Sequence, residues 1–181
     1  LSSNNLCRAT YLALLLLCAG CGLGSAFRAA SFAAPEAVRL DVPFVQQTGR
    51  TDCGPAALAS VLAFRGRHIP LDEVTRRVHT PAMQRTLLPD MENYARSLGF
   101  STRSGSGDTA VLREAVNAGS PVIVLANMGG PFFSQGHYLV VYGHDERGFL
   151  LHAGTRGSLY VRDDELLQGW NRMNRLYLVV E

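Results

Sequence analysis

The chain has 181 residues, 47% of them hydrophobic and 18% charged, with a formal net charge of +2. That length suits one ordinary domain, and the mix excludes a disordered tail, a collagen-like repeat and a coiled coil. All 17 basic residues are arginine, scattered among 15 acidic ones, which leaves no basic stripe for nucleic acid and no lysine for a nucleotide-binding P-loop or a Schiff base.

The N-terminal segment reads as an address. Arg8 is followed by an apolar run from Tyr11 to Ala19, about nine residues, which suits a signal-peptide core and is too short to span a bilayer. It closes on Cys18-Ala19-Gly20-Cys21, similar to a bacterial lipoprotein signal in which Cys21 takes the lipid. Three segments are therefore expected: a signal peptide over 1–20, a lipid-anchored flexible tether over 21–37, and a catalytic domain over 38–181. Gly22 after the lipidated cysteine, in place of aspartate, points to the outer membrane, facing the periplasm. With Cys7 and Cys18 removed and Cys21 capped, Cys53 is the one thiol left in an oxidising compartment. It is then a buried small side chain or a nucleophile.

In chain order, Leu40 to Val45 predicts a short extended entry. Cys53 to Arg65 is the strongest helix, rich in alanine, with Asp52 as N-cap, Pro55 in the first turn and Gly66 as the stop. Shorter helices are predicted over Pro70–Val78, Leu88–Leu98 and Thr109–Ala118, the last capped by Asp108. Strands follow at Pro121–Ala126, Gly136–Tyr142, Gly148–His152, Ser158–Val161 and Leu176–Val180, with a helix over Asp163–Trp170. Helices first and an antiparallel sheet afterwards describe an α+β domain.

Chemistry concentrates at two places. Cys53 opens the best helix, where free N–H groups and the helix dipole favour a thiolate and predict a depressed pKa. His137 stands at the mouth of a predicted strand and is placed to pair with that thiolate across a cleft. Gln47, on the loop entering the helix, is a candidate oxyanion donor beside the Cys53 N–H, with Gln46 as the substitute if the register slips. No metal-ligand spacing links His144, His152 and the remaining cysteine, and no cofactor is expected.

The stretch from Gln47 to Leu58, QTGRTDCGPAAL, closely resembles the nucleophile motif of peptidase family C39, papain-like domains that cut bacteriocin precursors after a double-glycine leader. Gly136 to Asp145, GHYLVVYGHD, resembles its histidine segment. The resemblance implies a papain-like fold with N-terminal helices packed on a C-terminal antiparallel sheet. It also implies a peptide or protein substrate, Cys53 as nucleophile, His137 as general base and Gln47 at the oxyanion. The family's third residue, an aspartate about sixteen positions after the histidine, is absent from Leu151-His152-Ala153-Gly154. His152 and Asp145 are the two candidates for orienting the imidazole in its place. With no transmembrane bundle and no nucleotide motif, the chain reads as a free-standing lipoprotein-type member, held at the membrane only by its anchor.

The leading expectation is thus a cysteine peptidase of the cell envelope acting at Gly-Gly or other small residues. One alternative is an inactive lipid-anchored binding module, favoured by the missing aspartate. Another is a papain-like cell-wall peptide hydrolase or acyltransferase, disfavoured because Gly-Pro follows the cysteine here where those enzymes carry Ser-Gly. Phe132 and Phe133 are candidates for a substrate groove, Asn127 to Gly130 for a loop beside it, and Trp170 for core or a lid.

Overall fold

The computed structural model describes residues 36–129 and 135–181. The expected signal peptide, Cys21, most of the tether, Phe132 and Phe133 lie outside those residues. Among the described residues no helix is long and apolar enough to cross a membrane.

The chain runs β1 (Val38–Arg39), α1 (Cys53–Phe64), α2 (Leu71–Val78), β2 (His79–Thr80), a 3₁₀ turn, β3 (Arg85–Thr86), α3 (Leu88–Ser97), β4 (Thr102–Ser106) and α4 (Thr109–Asn117). It continues through β5 (Val122–Asn127), β6 (Gly136–His144), β7 (Gly148–Ala153), β8 (Arg156–Arg162), α5 (Asp163–Asn171) and β9 (Leu176–Val180). One sheet holds seven strands in the order β4-β9-β5-β6-β7-β8, with β1 joining β6 at its far end, and every pairing in it is antiparallel. The strands β2 and β3 form a separate small hairpin.

Alternation along the strands makes two cores. Ile123, Tyr138, Val140, Leu178 and Val180 point to one face and pack with α1, α2 and α3. Val122, Val124, Leu139, Val141, Leu151 and Val179 point to the other, under α4 and α5. Strands buried on both faces read as continuous apolar runs, which is why β5, β6 and β9 stand out in the sequence. The expected packing of the early helices on the sheet holds for α1 to α3. The opposite face, however, is covered too, and Trp170 belongs to that cover. It is fully buried, with its indole N–H donating to Leu176 O at 2.8 Å, so it is core and not a lid.

The helix α1 is buried from Gly54 to Leu62 on every side, because it lies between the sheet below and α2 and α3 above. A helix apolar all round is central. Each fully buried leucine in it (Leu58 and Leu62) stabilises the fold by about 1.5–3 kcal/mol. Its one polar side chain there, Ser60, accepts from Val45 N–H and donates to Ala56 O, both at 3.0 Å. That pair ties the incoming segment to the helix, and Leu40 N–H joins it to the sheet at Tyr142 O, 2.8 Å away; the expected extended run over Leu40–Val45 is not a strand. The strand proper is only Val38–Arg39. The edge strand β4, TRSGS, carries no apolar signal and escaped the sequence reading.

Candidate active site

The loop from Gln47 to Asp52 delivers Cys53 to the N-terminus of α1. Asp52 occupies the N-cap position without capping through its side chain. Its carboxylate turns back instead, accepting from Thr48 N–H, Thr48 Oγ1 and Gly49 N–H at 2.9 Å and from Gly49 N–H again at 3.0 Å. Burial pushes the Asp52 carboxyl up, but those hydrogen bonds outweigh it and hold the group below its ordinary value. The side chain fixes the loop and leaves the first turn of α1 open.

Gly54 explains the Cys-Gly pairing. A Cβ there would fall 2.9 Å from Thr86 Cβ and 3.0 Å from Tyr138 Cδ2. The helix start is wedged between β3 and β6, and a side chain would pry them apart.

Cys53 is a free, half-buried thiol lining a cleft of about 480 Å³. The sulfur meets the backbone of Tyr138, the residue after His137. Burial pushes the thiol up from its ordinary value. The N–H groups of Tyr138 and Gly54 work against that without overcoming it, and the Asp52 charge adds to the rise. Burial alone pulls His137 down. The depressed thiol pKa expected from the helix N-terminus meets an opposing influence in the folded chain, because burial disfavours the charged form of both groups, pushing the thiol up and the imidazole down.

Gln47 reaches the same place from the other side. Its backbone N–H donates to Gly154 O at 3.1 Å, and its side-chain Nε2 donates to Gly49 O at 2.7 Å. Its Oε1 is buried and has no partner among the described residues. Gly154 has a φ of +58°, and a Cβ on it would land on Gln47 Oε1 and 2.8 Å from His137 Nε2. The structure thus brings Gln47 and His137 together at Gly154, and Cys53 lines a small pocket with the same Gly154.

Neither candidate orienter joins them. His152 Nε2 donates to Val42 O at 3.0 Å, Nδ1 accepts from Ser158 N–H at 3.2 Å, and the ring stacks on Tyr142 at 4.4 Å. Both nitrogens are engaged away from His137, so His152 is a structural histidine. Asp145 follows the far end of β6, where Oδ1 accepts from Arg147 N–H, Gly148 N–H and Tyr160 OH. Eight residues of strand separate it from His137, roughly 26 Å at the rise of a β-strand. It is a turn residue. The register shows why: Leu139 pairs with Ala153 and Val140 with His152. His137 and Ala153 therefore share a face as diagonal neighbours, while His152 points to the opposite one.

Residues 41–178 match the peptidase C39 family. The chain belongs to that family. Among solved structures, the domain is similar to the peptidase domain of Streptococcus ComA, a bifunctional ABC transporter of a quorum-sensing pathway. The identity is 25% and the TM-score 0.63, over 79% of this chain and 97% of that one. It shares its fold with a double-glycine-motif protease from an AMS/PCAT transporter solved with a leader peptide, at 19% identity and TM-score 0.64 over 78% of this chain and 92% of that one. It also shares it with a C39-like peptidase from Bacillus anthracis, at 17% and 0.68 over 81% and 98%. A curated relative, the colicin V secretion/processing ATP-binding protein CvaB of Escherichia coli, is 27% identical over 125 residues. The match covers 69% of this chain but only 16% of that protein, so the chain spans about a sixth of its relative's length.

As a C39 family member, the chain has the family's peptidase fold, helices set against a large antiparallel sheet. The sequence reading missed two residues of this site. Thr86 is buried at the cleft wall, its Oγ1 without a partner among the described residues; it sits in a two-residue strand with no pattern to read. Gly154 entered the sequence reading only as the end of the segment that lacks the aspartate, although its left-handed φ is the kind of demand that selects glycine.

Proposed function

We propose that this chain is a cysteine peptidase in which Cys53 is the nucleophile and His137 the base. The observation that carries the reading is Cys53 itself: a free thiol at the start of a buried helix, open to the cleft and touching the backbone next to His137. When substrate binds, the thiol proton passes to the imidazole and Sγ attacks the scissile carbonyl carbon. The oxyanion is received by the Cys53 N–H, with Gln47 Nε2 as second donor through the hydrogen not given to Gly49 O. Collapse expels the amine, which takes the proton from His137, and water then hydrolyses the thioester to return the thiol.

The substrate in this reading is a peptide or protein cut after Gly-Gly or another small residue. The likeness to a protease of the double-glycine motif solved with its leader peptide supports it. Cys53→Ala should keep the fold and abolish cleavage of a Gly-Gly peptide; full activity in that variant overturns the reading. The inactive-module alternative draws on Ala153 standing at the family's aspartate position, and it predicts the same null result for the wild type.

For the cell-envelope placement, we propose lipidation of Cys21 and an outer-membrane site facing the periplasm. The support is the apolar run ending in Cys18-Ala19-Gly20-Cys21 and the small-residue tether after it. Cys21→Ser should move the protein from the membrane pellet to the soluble fraction or leave it unprocessed. A wild type that is already soluble overturns it.

A further inference from the structure

The family's aspartate is missing, His152 is engaged elsewhere, and Asp145 is at the wrong end of β6. An imidazole base still needs an acceptor on its second nitrogen, or the wrong tautomer faces the thiol. Three observations converge on one side chain. Gln47 Oε1 is buried without a partner among the described residues. Gly49 O takes the Nε2 of the same amide, and that contact fixes which way the amide points, because the flipped amide would set two oxygens against each other. Across the bare α-carbon of Gly154, Oε1 and His137 Nε2 face the same point.

We propose that Gln47 is the positioning residue for His137, its Oε1 accepting the Nε2–H of the imidazole in place of the absent carboxylate. The proposal rests on the Cys53–His137 reading and deepens it. With Nε2 holding its proton toward Gln47, Nδ1 is the lone-pair nitrogen left to receive the thiol proton. After that transfer the imidazolium keeps Nε2–H on the amide oxygen, so no further proton moves. One side chain then serves twice, its oxygen on the base and its nitrogen on Gly49 O and the oxyanion. This also accounts for Gly154: any side chain there would sit where the two groups meet.

The ionisable groups around the pair are few. From α1 come Cys53 and Asp52, the latter turned to Thr48 and Gly49. From β6 comes Tyr138, whose hydroxyl donates to Thr86 O at 3.3 Å. From β7 comes His152, hydrogen-bonded to Val42 O and Ser158 N–H. No carboxylate is among the influences on His137.

The test is nuclear magnetic resonance of the His137 ring nitrogens in the Cys53→Ala protein, which needs no turnover. With Gln47 present, the neutral ring should be the Nε2–H tautomer. Gln47→Glu keeps the acceptor and adds charge, so it should retain that tautomer and raise the His137 pKa by about one unit or more. Gln47→Leu should give mixed tautomers. An unchanged tautomer and pKa in both variants, each with a native-like spectrum, overturns the proposal. Should Gln47→Leu fail to fold, Gln47→Met, close to glutamine in shape and lacking the amide oxygen, decides it: an unchanged Nε2–H tautomer there means no acceptor role. Failure of the peptidase reading shows separately, as a wild type that cleaves nothing while the ring still responds to position 47.

Discussion

The backbone N–H of Gln47 donates to the carbonyl of Gly154 at 3.1 Å, stapling the loop before α1 to the turn after β7. That single bond joins the two halves of the site. It sets the loop before Cys53 against the strand beside the histidine, at a residue whose lack of a side chain leaves room for both Gln47 and His137.

Gly154→Ala should therefore damage activity more than stability. A left-handed alanine costs about 1–2 kcal/mol, visible as a modest fall in melting temperature. The displaced Gln47 and His137 should lower kcat/KM by on the order of a hundredfold, the usual consequence of misplacing reacting groups. A variant destabilised to that extent but fully active would show that the close approach at Gly154 is incidental.

Positions 152 and 153 separate by face. Ala153→Asp puts a carboxylate on the same side of the ladder as His137 and should raise kcat/KM by about tenfold or more. His152→Ala should leave the chemistry nearly unchanged and cost about 2–3 kcal/mol in urea unfolding, since Val42 O and Ser158 N–H lose their buried partner. Loss of turnover without loss of stability in that variant would return His152 to the mechanism.

The pH response follows from the two shifts. Burial raises the thiol and lowers the imidazole. Alkylation of Cys53 by iodoacetamide should accordingly climb with pH to a midpoint above the ordinary thiol value of 9.0. The acid limb, where His137 becomes protonated, should lie below 6.5. A midpoint under 8 would mean that the dipole at α1 outweighs desolvation after all.

Asp52 makes a stability prediction with a definite sign. Its folded pKa lies below the ordinary 3.8, so its contribution is fully present above that value and fades as pH falls through the lower folded one. Asp52→Ala should destabilise the domain by about 1–3 kcal/mol at pH 7, and the difference from wild type should vanish in strong acid. An equal difference at pH 7 and pH 2 would show that the loop clamp is not the source.

Much of this was legible from residue order. The alanine-rich run behind Cys53 announces α1, and the doubly buried strands β5, β6 and β9 announce themselves as unbroken apolar runs, because burial on both faces removes the need for polar positions. Cys53, Gln47 and His137 stand out as candidates because residue type, local position and a resemblance in motif single them out. Tertiary structure alone decided the rest. Whether position 152 or 153 faces His137 depends on the β6–β7 register, and a one-residue step reverses the face. Whether the helix dipole or burial governs Cys53 depends on how deeply α1 is enclosed, which no local stretch encodes. The role of Asp52 turned on its loop folding back, and the meeting of Gln47 with His137 on a bare α-carbon more than a hundred residues further along the chain from Gln47. Such contacts form only when distant segments are packed, because their geometry belongs to the pair and not to either strand of sequence.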